Sequence, residues 1–339
     1  MKTSTSKRLR WNVAIWLAAG LFMAGTAGMA SGPIMPDPKA EARHQPQVEE
    51  TANGIPLVNI TAPSSGGVSR NEYETFNVPD KGAILNNSYT LSKTELAGYV
   101  QGNNNMAERP AKIIVNEVTG AGSTSMDGFL EVAGNRADVV IANPNGITVN
   151  GGGFINTGKA FLTTGKPVYD GEDHLQRFDI TGGDILIEGK GLGGKETESL
   201  AILSRAVKIN AGIWAEDLHI TTGANTVDAK TLEASAIEGK GGRPAFALDT
   251  AAIGGMYAGR ITLVGTEKGL GVNNSGTWSA EDNLTLDWNG DLKNSGTIYS
   301  KGNTDLRASR LENDKTIAAE RNLSAAAKED IRNQGKLLA

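Results

Sequence analysis

The sequence predicts an all-β fold, a right-handed parallel β-helix with an N-terminal cap and with loops or hairpins extruded from its coils. The first observation behind this prediction is a repeat of about 20 residues in the C-terminal third of the chain. The second is a series of short alternating apolar segments, separated by Gly- or Asn-rich turns, which is typical of strands. The composition agrees, since 43 glycines and an aromatic content of 5% suit tight turns and small core layers.

The N-terminus has the pattern of a secretory signal peptide over residues 1–30. A positively charged start is followed by an apolar stretch from Trp11 to Ala24 and by small residues before a cleavage point after Ala30. This apolar stretch is shorter than the roughly 20 residues that a membrane-spanning helix needs. The sequence therefore predicts export rather than anchoring.

Behind this signal, four prolines among polar residues predict a flexible leader over 31–52. The rest of the chain, 55–339, is predicted to form one continuous solenoid. An open first coil would present an unpaired strand edge, so a cap made from about residues 55–80 is expected. Extruded loops or small hairpins are expected near 166–178 and 189–199.

The repeat is marked by an asparagine that recurs at steps of 20, 19 and 20 residues, at Asn274, Asn294, Asn313 and Asn333. Four residues after each asparagine stands an apolar residue: Trp278, Ile298, Ile317 and Leu337. One such unit cannot bury its own inward face, so it must stack on a neighbour at about 4.8 Å. The aligned asparagines are predicted to form an amide ladder along the stack. Trp278 is predicted to lie in the core.

Charge and composition exclude several classes of function. The net charge of −5 and the lack of a basic stripe beyond the first ten residues argue against a nucleic-acid partner. The chain has no cysteine, which excludes disulfides, thiol nucleophiles and cysteine-bound zinc. His44, His174 and His219 lie far apart in the sequence, so no metal site and no cofactor are expected. Gly189–Lys195 is close to a phosphate-binding loop, but Glu196 replaces the Ser or Thr that must reach magnesium.

The best-formed turn of the sequence is Asn143-Pro144-Asn145-Gly146, which has the preferences of a type I β-turn. It lies between two predicted strands. In the same order as in a known family, the chain also contains these segments: Asn53-Gly54-Ile55-Pro56-Leu57-Val58-Asn59-Ile60, Asn71-Glu72-Tyr73, Phe76-Asn77-Val78, Val115-Asn116-Glu117-Val118 and Asn150-Gly151-Gly152-Gly153-Phe154-Ile155-Asn156. Together they closely resemble the haemagglutination-activity, or two-partner secretion, domain of filamentous haemagglutinins and related large exoproteins.

The resemblance covers roughly residues 53–300, and the units after residue 270 look like the family's haemagglutinin repeats. It implies a pectin-lyase-like, single-stranded right-handed β-helix, divided into a secretion domain over 53–270 and repeats over 271–339. It also implies a monomer that passes the inner membrane by the Sec route and the outer membrane of a Gram-negative-type bacterium through a dedicated barrel, whose periplasmic POTRA domains recognise it. The protein would then fold outside the cell and nucleate the β-helix of a longer chain behind it.

The resemblance assigns transporter recognition to particular asparagine motifs. Asn143, Pro144, Asn145 and Gly146 match one family motif in full. The earlier Asn-Pro-Asn-Leu motif falls on Asn103-Asn104-Asn105-Met106, where the proline that would fix φ is missing. Asn103 and Asn105 are carried over on this match, and so is Asn116 from the segment at 115–118.

Three readings of the whole protein differ in function class. The main one is an adhesin-like exoprotein at the cell surface, binding receptors on host or neighbouring cells. The second, within the same family, is a haemolysin or a toxin-delivery protein of contact-dependent inhibition. The third is a carbohydrate-active β-helix enzyme, with Glu172, Asp173, Asp179 or Asp184 as its acid groups. Because catalytic constellations are lacking in the sequence, we predict that the chain is not an enzyme. The last repeat unit runs to Ala339 without a change of pattern, so we expect a longer natural protein.

Overall fold

The computed structural model describes residues 32–107 and 109–339, and the predicted signal peptide lies outside them. The strands up to residue 163 are β1 Ile34–Pro36, β2 Gln47–Glu50, β3 Pro56–Asn59, β4 Val68–Phe76, β5 Ala83–Asn87, β6 Ser92–Thr94, β7 Gly98–Val100, β8 Ile113–Val118, β9 Thr124–Met126, β10 Phe129–Gly134, β11 Ala137–Ala142, β12 Ile147–Val149, β13 Gly152–Ile155 and β14 Thr157–Thr163. Two 3-10 helices interrupt this part, at Ala42–His44 and Asn104–Met106.

The strands from residue 166 onwards are β15 Lys166–Tyr169, β16 Leu175–Ile180, β17 Asp184–Ile187, β18 Leu192–Gly194, β19 Ser199–Ser204, β20 Ala206–Ile209, β21 Gly212–Thr222, β22 Asn225–Asp228, β23 Ala234–Ala236, β24 Phe246–Thr250, β25 Gly255–Gly265, β26 Gly271–Asn274, β27 Thr277–Ala280, β28 Leu284–Trp288, β29 Leu292–Asn294, β30 Thr297–Ser300, β31 Thr304–Asn313, β32 Thr316–Ala319, β33 Leu323–Asn333 and β34 Lys336–Leu338. Within the described residues no helix is long and apolar enough to cross a membrane.

Most of these strands form three parallel sheets, to which successive coils contribute one strand each. The first face runs β3, β5, β10, β13, β18, β21, β25, β27, β30, β32 and β34. The second runs β4, β8, β11, β14, β19, β21, β25, β28, β31 and β33. The third runs β9, β12, β17, β20, β24, β26, β29, β31 and β33. The predicted parallel β-helix is confirmed.

The interior is one apolar core that extends from Ile34 to Ile317. Alternate residues of each strand point into it, as the alternation in the sequence predicts. Trp278 is fully buried there, in register with Ile298 and then Ile317. The indole Nε1 of Trp278 donates to Thr250 Oγ1 at 3.0 Å, which satisfies its buried polar atom. Core burial of Trp278 is confirmed.

The predicted flexible leader over 31–52 is wrong, because most of this segment forms the N-terminal cap. Strand β1 pairs antiparallel with β4, and β2 pairs antiparallel with β3. The prolines and polar residues suggested disorder, but the first strands of the solenoid have free edges that a short antiparallel strand can cover. The expected cap at 55–80 is therefore misplaced, since β3 and β4 already belong to the parallel faces.

Two small sheets project from the solenoid. A four-stranded antiparallel sheet, β15-β16-β22-β23, contains the hairpin expected near 166–178. Its second half, over 225–236, was not predicted. Both halves leave the solenoid between the second and third faces, one after β14 and the other after β21, which are neighbours of β19 on either side. They meet where β16 pairs with β22. The loop expected at 189–199 is wrong in part, because β18 within it belongs to the first face. A further hairpin, β6–β7, projects before residue 103.

Candidate functional site

The turn Asn143-Pro144-Asn145-Gly146 forms the corner between β11 on the second face and β12 on the third. The amide of Gly146 donates to the carbonyl of Asn143 at 3.1 Å, which closes the predicted turn. The Asn143 side chain accepts from the amide of Asn145 at 2.9 Å, and its Nδ2 donates to Gly122 O at 2.9 Å and Thr124 Oγ1 at 3.0 Å. Gly146 has a φ of +111°, which favours glycine at this corner. The turn is thereby fixed to the preceding coil.

Exposure divides the residues of this turn into two kinds. Asn143 is fully buried, and Gly146 is buried as well. Pro144 and Asn145 are exposed, although Asn145 Nδ2 still donates to Gly120 O at 2.8 Å. In the folded protein, therefore, a partner can reach Pro144 and Asn145 but not the side chain of Asn143.

The second motif has the same hydrogen-bond pattern without its proline. Asn103 accepts from the amide of Asn105 at 3.0 Å, and the amide of Met106 donates to Asn103 O at 3.1 Å. The Asn103 side chain is buried and donates to the carbonyls of Ile60 and Asn86 at 2.8 and 2.9 Å. These contacts build a short 3-10 helix with Asn103 at its N-cap. Proline at position 104 is thus not needed for the turn geometry.

Asn116 lies inside β8 rather than in a turn. Its Nδ2 donates to Val140 O on the next coil at 3.1 Å, and its Oδ1 accepts from the Tyr73 hydroxyl on the previous coil at 3.0 Å. Burial raises the pKa of Tyr73 well above its usual value, so the phenol stays protonated and donates. Asn116 therefore joins three coils of the second face. Its contacts, those of Asn103 and those of Asn143 share no residue, so the three form separate sites.

The predicted amide ladder runs along the corner between the third and first faces. Asn274 donates to Asn294, Asn294 to Asn313 and Asn313 to Asn333, at 2.8, 2.7 and 2.7 Å. The backbone pairing places the four residues in one register column. Their predicted structural role agrees with these contacts.

A buried group of charges next to Asn116 was not found from the sequence. Arg70 Nη2 lies 2.8 Å from Glu72 Oε1 and 3.4 Å from Glu117 Oε2, and His44 Nδ1 lies 3.1 Å from the same Glu72 oxygen. Burial raises the pKa of Glu117, and the positive charge of Arg70 offsets only part of this rise. Glu117 offered a hint, because it is the one charged residue of the strand Ile113–Val118.

Several residues of the alternative readings make contacts of other kinds. Asp173 accepts from Arg43 at 2.8 Å, and Asp179 pairs with Arg177 on its own strand at 2.8 Å. Leu192–Gly194, inside the loop that looks like a phosphate-binding motif, is a strand of the first face. His174 contacts Asp170, and His219 contacts Thr221. Among the described residues no group of three or more His, Asp or Glu side chains could hold a metal ion.

Comparison with known proteins adds family information. The family model described as the TPS secretion domain matches residues 33–299. The chain is 42% identical over 298 residues to a protein named toxin CdiA from Yersinia pestis, a match that covers 81% of this chain and 9% of that protein. It is 44% identical over 280 residues to a 16S rRNA endonuclease CdiA from Enterobacter cloacae subsp. cloacae, covering 81% of this chain and 8% of that protein. The chain thus spans less than a tenth of the length of these relatives.

Among solved structures, the fold is similar to the filamentous hemagglutinin secretion domain. The TM-score is 0.68 at 30% sequence identity, and the match covers 91% of this chain and 99% of that one. The likeness therefore extends over nearly the whole described solenoid, and it does not depend on a single motif.

Proposed function

The chain belongs to the family of two-partner secretion (TPS) domains, and from this premise we propose that it is the N-terminal secretion and folding-nucleation module of a large exoprotein. The family match over residues 33–299 is the observation that carries the proposal. The asparagine motifs and the solenoid fold support it, because they occur together and in the family's order. We propose the division into a secretion domain over 53–270 and repeats over 271–339 on the same ground.

The proposed partner is a cognate outer-membrane transporter whose periplasmic POTRA domains bind the chain. The burial of Asn143, Asn103 and Asn116 bears on how this recognition would work. Side chains that donate and accept inside a folded corner cannot at the same time bind a partner. We therefore propose that the transporter recognises these motifs before the chain folds, and that the same side chains then fix the corners of the first coils.

The proposed route begins with Sec-dependent export directed by residues 1–30 and ends outside the cell or at its surface. A solenoid folds through contacts between neighbouring coils, so a stable first segment can template the coils behind it. We propose that this segment has no catalytic role and needs no cofactor. The nuclease names of some relatives describe proteins of which this chain matches only 8 or 9%.

A second candidate concerns the whole protein. Because a relative named toxin CdiA matches the chain at 42% identity and a 16S rRNA endonuclease CdiA at 44%, toxin delivery of the contact-dependent inhibition type is the alternative to an adhesin. Both alternatives need the same secretion module, so the role proposed for the present residues does not depend on the choice.

The direct test is secretion with and without a transporter. The full chain would be expressed in a Gram-negative host alone, with its genomically neighbouring transporter, and with that transporter lacking its POTRA domains. We expect the protein in the medium only with the intact transporter. Equal amounts in the medium of all three cultures would overturn the proposal.

A second experiment separates recognition from folding. Asn143→Ala is compared with Asn87→Ala, because Asn87 is equally buried and its side chain makes three hydrogen bonds, to Ala111 and Asn135, against four for Asn143. Both variants should lose similar folding stability, since each leaves buried partners unsatisfied. We expect Asn143→Ala to lower secretion further than Asn87→Ala. If the two lose secretion in proportion to stability alone, Asn143 serves folding and not recognition.

A further inference from the structure

The tip of the extruded hairpin, residues 169–174, lies directly on the N-terminal cap. Arg43, in the 3-10 helix of the cap, donates from Nη1 to Asp173 Oδ2 at 2.8 Å across a sequence separation of 130 residues. Ser64, in the loop between β3 and β4, donates to the backbone carbonyl of Asp173 at 3.4 Å. Gly66 faces the ring of His174 so closely that a Cβ there would lie 1.9 Å from Cδ2. The hairpin therefore contacts both the cap and the first loop of the solenoid.

Under this tip lies the buried charge group of the cap and the second face. The ring of Tyr169 covers the Arg70 guanidinium, whose central carbon is 4.5 Å from the ring centroid. Arg70 in turn holds Glu72, which His44 of the cap also contacts. The Tyr169 ring thus shields one face of the Arg70 guanidinium from solvent. A charge pair shielded in this way is stronger than the same pair in water.

The hairpin is anchored independently of the cap. Phe178 of β16 packs on Phe161, an outward-facing residue of the second face, with ring centroids 5.9 Å apart. Both belong to an apolar cluster that includes Val115, Val140 and Val227 and lies outside the main core. β16 is also paired with β22, some 50 residues further along the chain. The hairpin is therefore a fixed element against which the cap can rest.

The N-terminal cap gains little stability from its strands alone. Its strands are three and four residues long, and β2 is largely exposed. Short strands with few buried side chains open easily, because little apolar area is lost on opening. The contacts with the hairpin add to those that Ile34, His44 and Asp37 of the cap make with the coils.

We propose that the hairpin tip is a latch that holds the N-terminal cap closed, so that capping is complete only after the chain has folded through residue 180. A solenoid that formed strictly from its first coil onwards would close its cap from residues 34–76 alone. With the latch, the cap, the first coils and the extruded sheet close together, and the solenoid acquires a finished end only when that larger unit exists. This inference does not depend on the secretion role proposed above.

Hydrogen exchange, read residue by residue on the chain without the predicted signal peptide, tests the latch. Asp173→Asn removes the charge that holds Arg43 but suits the left-handed φ of +59° at this position. Because an exposed ion pair contributes little, exchange of amides in 34–50 should rise about two- to fivefold. Tyr169→Ala uncovers the Arg70 guanidinium and should raise exchange of the same amides about tenfold or more. Amides of coils 271–319 should not change in either variant.

Two controls separate the latch from general loosening. Tyr169→Phe removes only a hydroxyl that has no hydrogen-bond partner, and Asp179→Asn breaks an exposed pair in the same hairpin away from the cap; both should leave exchange at 34–50 unchanged. Coupling is reciprocal, so Arg43→Met in the cap should speed exchange at 169–174. The proposal is overturned if Tyr169→Ala leaves the cap amides as protected as before. It is equally overturned if exchange rises uniformly along the chain, since the cap would then have no separate link to the hairpin.

Discussion

Asn294 stands between two other asparagines, accepting from Asn274 Nδ2 at 2.8 Å and donating to Asn313 Oδ1 at 2.7 Å. All three side chains are fully buried. The Asn294 amide uses one acceptor and one donor along the column, which an ionised aspartate, an acceptor only, could not reproduce. The corner is therefore specified by asparagine and by the register of the coils together.

Asn294→Ala should destabilise the fold by about 2 to 4 kcal/mol, because a donor of Asn274 and an acceptor of Asn313 are both left buried without partners. Chemical denaturation followed by circular dichroism measures the change. Asn303→Ala provides the matched control, since Asn303 accepts from Asn322 at 2.9 Å in an exposed column. An equal loss in both variants would contradict the role of burial.

Asn104→Pro should stabilise the chain by about 0.4 to 1 kcal/mol, because proline restricts the unfolded chain and fits the first position of a 3-10 helix. The preceding residue, Asn103, has φ −82° and ψ 116°, the extended conformation that proline requires before it. The reverse change, Pro144→Asn, should lower the free energy of unfolding, read from denaturation curves, by a similar amount. A loss of stability in Asn104→Pro would show that the turn cannot take proline.

His219 should make stability depend on pH. Burial lowers the pKa of His219 from 6.5 to about 4, so the unfolded chain takes up a proton that the folded chain resists. Stability is therefore fully present above pH 6.5 and falls between pH 6.5 and 4, by at most about 3 kcal/mol. His219→Gln should flatten this slope in denaturation curves taken at pH 7, 6, 5 and 4. If the stability of the variant and of the parent protein changes equally with pH, this role of His219 is contradicted.

Trp278→Ala should cost about 3 to 5 kcal/mol, because it leaves a large cavity among coils whose backbones are fixed by strand pairing. Trp278→Phe should cost less, as most of the volume remains. Trp214→Ala serves as the comparison, since Trp214 stacks on Tyr257 on the outer surface of the first face and is 36% exposed. The prediction fails if Trp278→Ala and Trp214→Ala lower the midpoint of thermal unfolding by the same amount.

The asparagine corners could be assigned from the sequence because their signals are local. A turn such as Asn143-Pro144-Asn145-Gly146 depends on the φ preferences of four neighbouring residues. The 20-residue register depends on one coil stacking on the next, so Asn274 and Trp278 repeat with their equivalents. The sequence did not reveal that Asn103 caps its turn as Asn143 does but without proline, because the Asn103 side chain is fixed by the carbonyls of Ile60 and Asn86, which lie 43 and 17 residues earlier in the chain.

Long-range pairing explains what was missed. The cap strands pair antiparallel with β4 and β3, and such pairing leaves no period in the sequence. Residues 225–236 show no sign that they will pair with a hairpin that begins 59 residues earlier. Their partners are chosen by the shape of the solenoid, which sends both segments out at the same corner.

The parallel β-helix, the asparagine column and the turn at 143–146 are encoded locally, because each depends on residues within one coil and its nearest repeat. The assembled coils instead determine two features: which segment caps the solenoid, and where the hairpin tip packs. Arg43 and Asp173 illustrate the reason: they meet across 130 residues, and their contact exists only after the coils between them have set the distance.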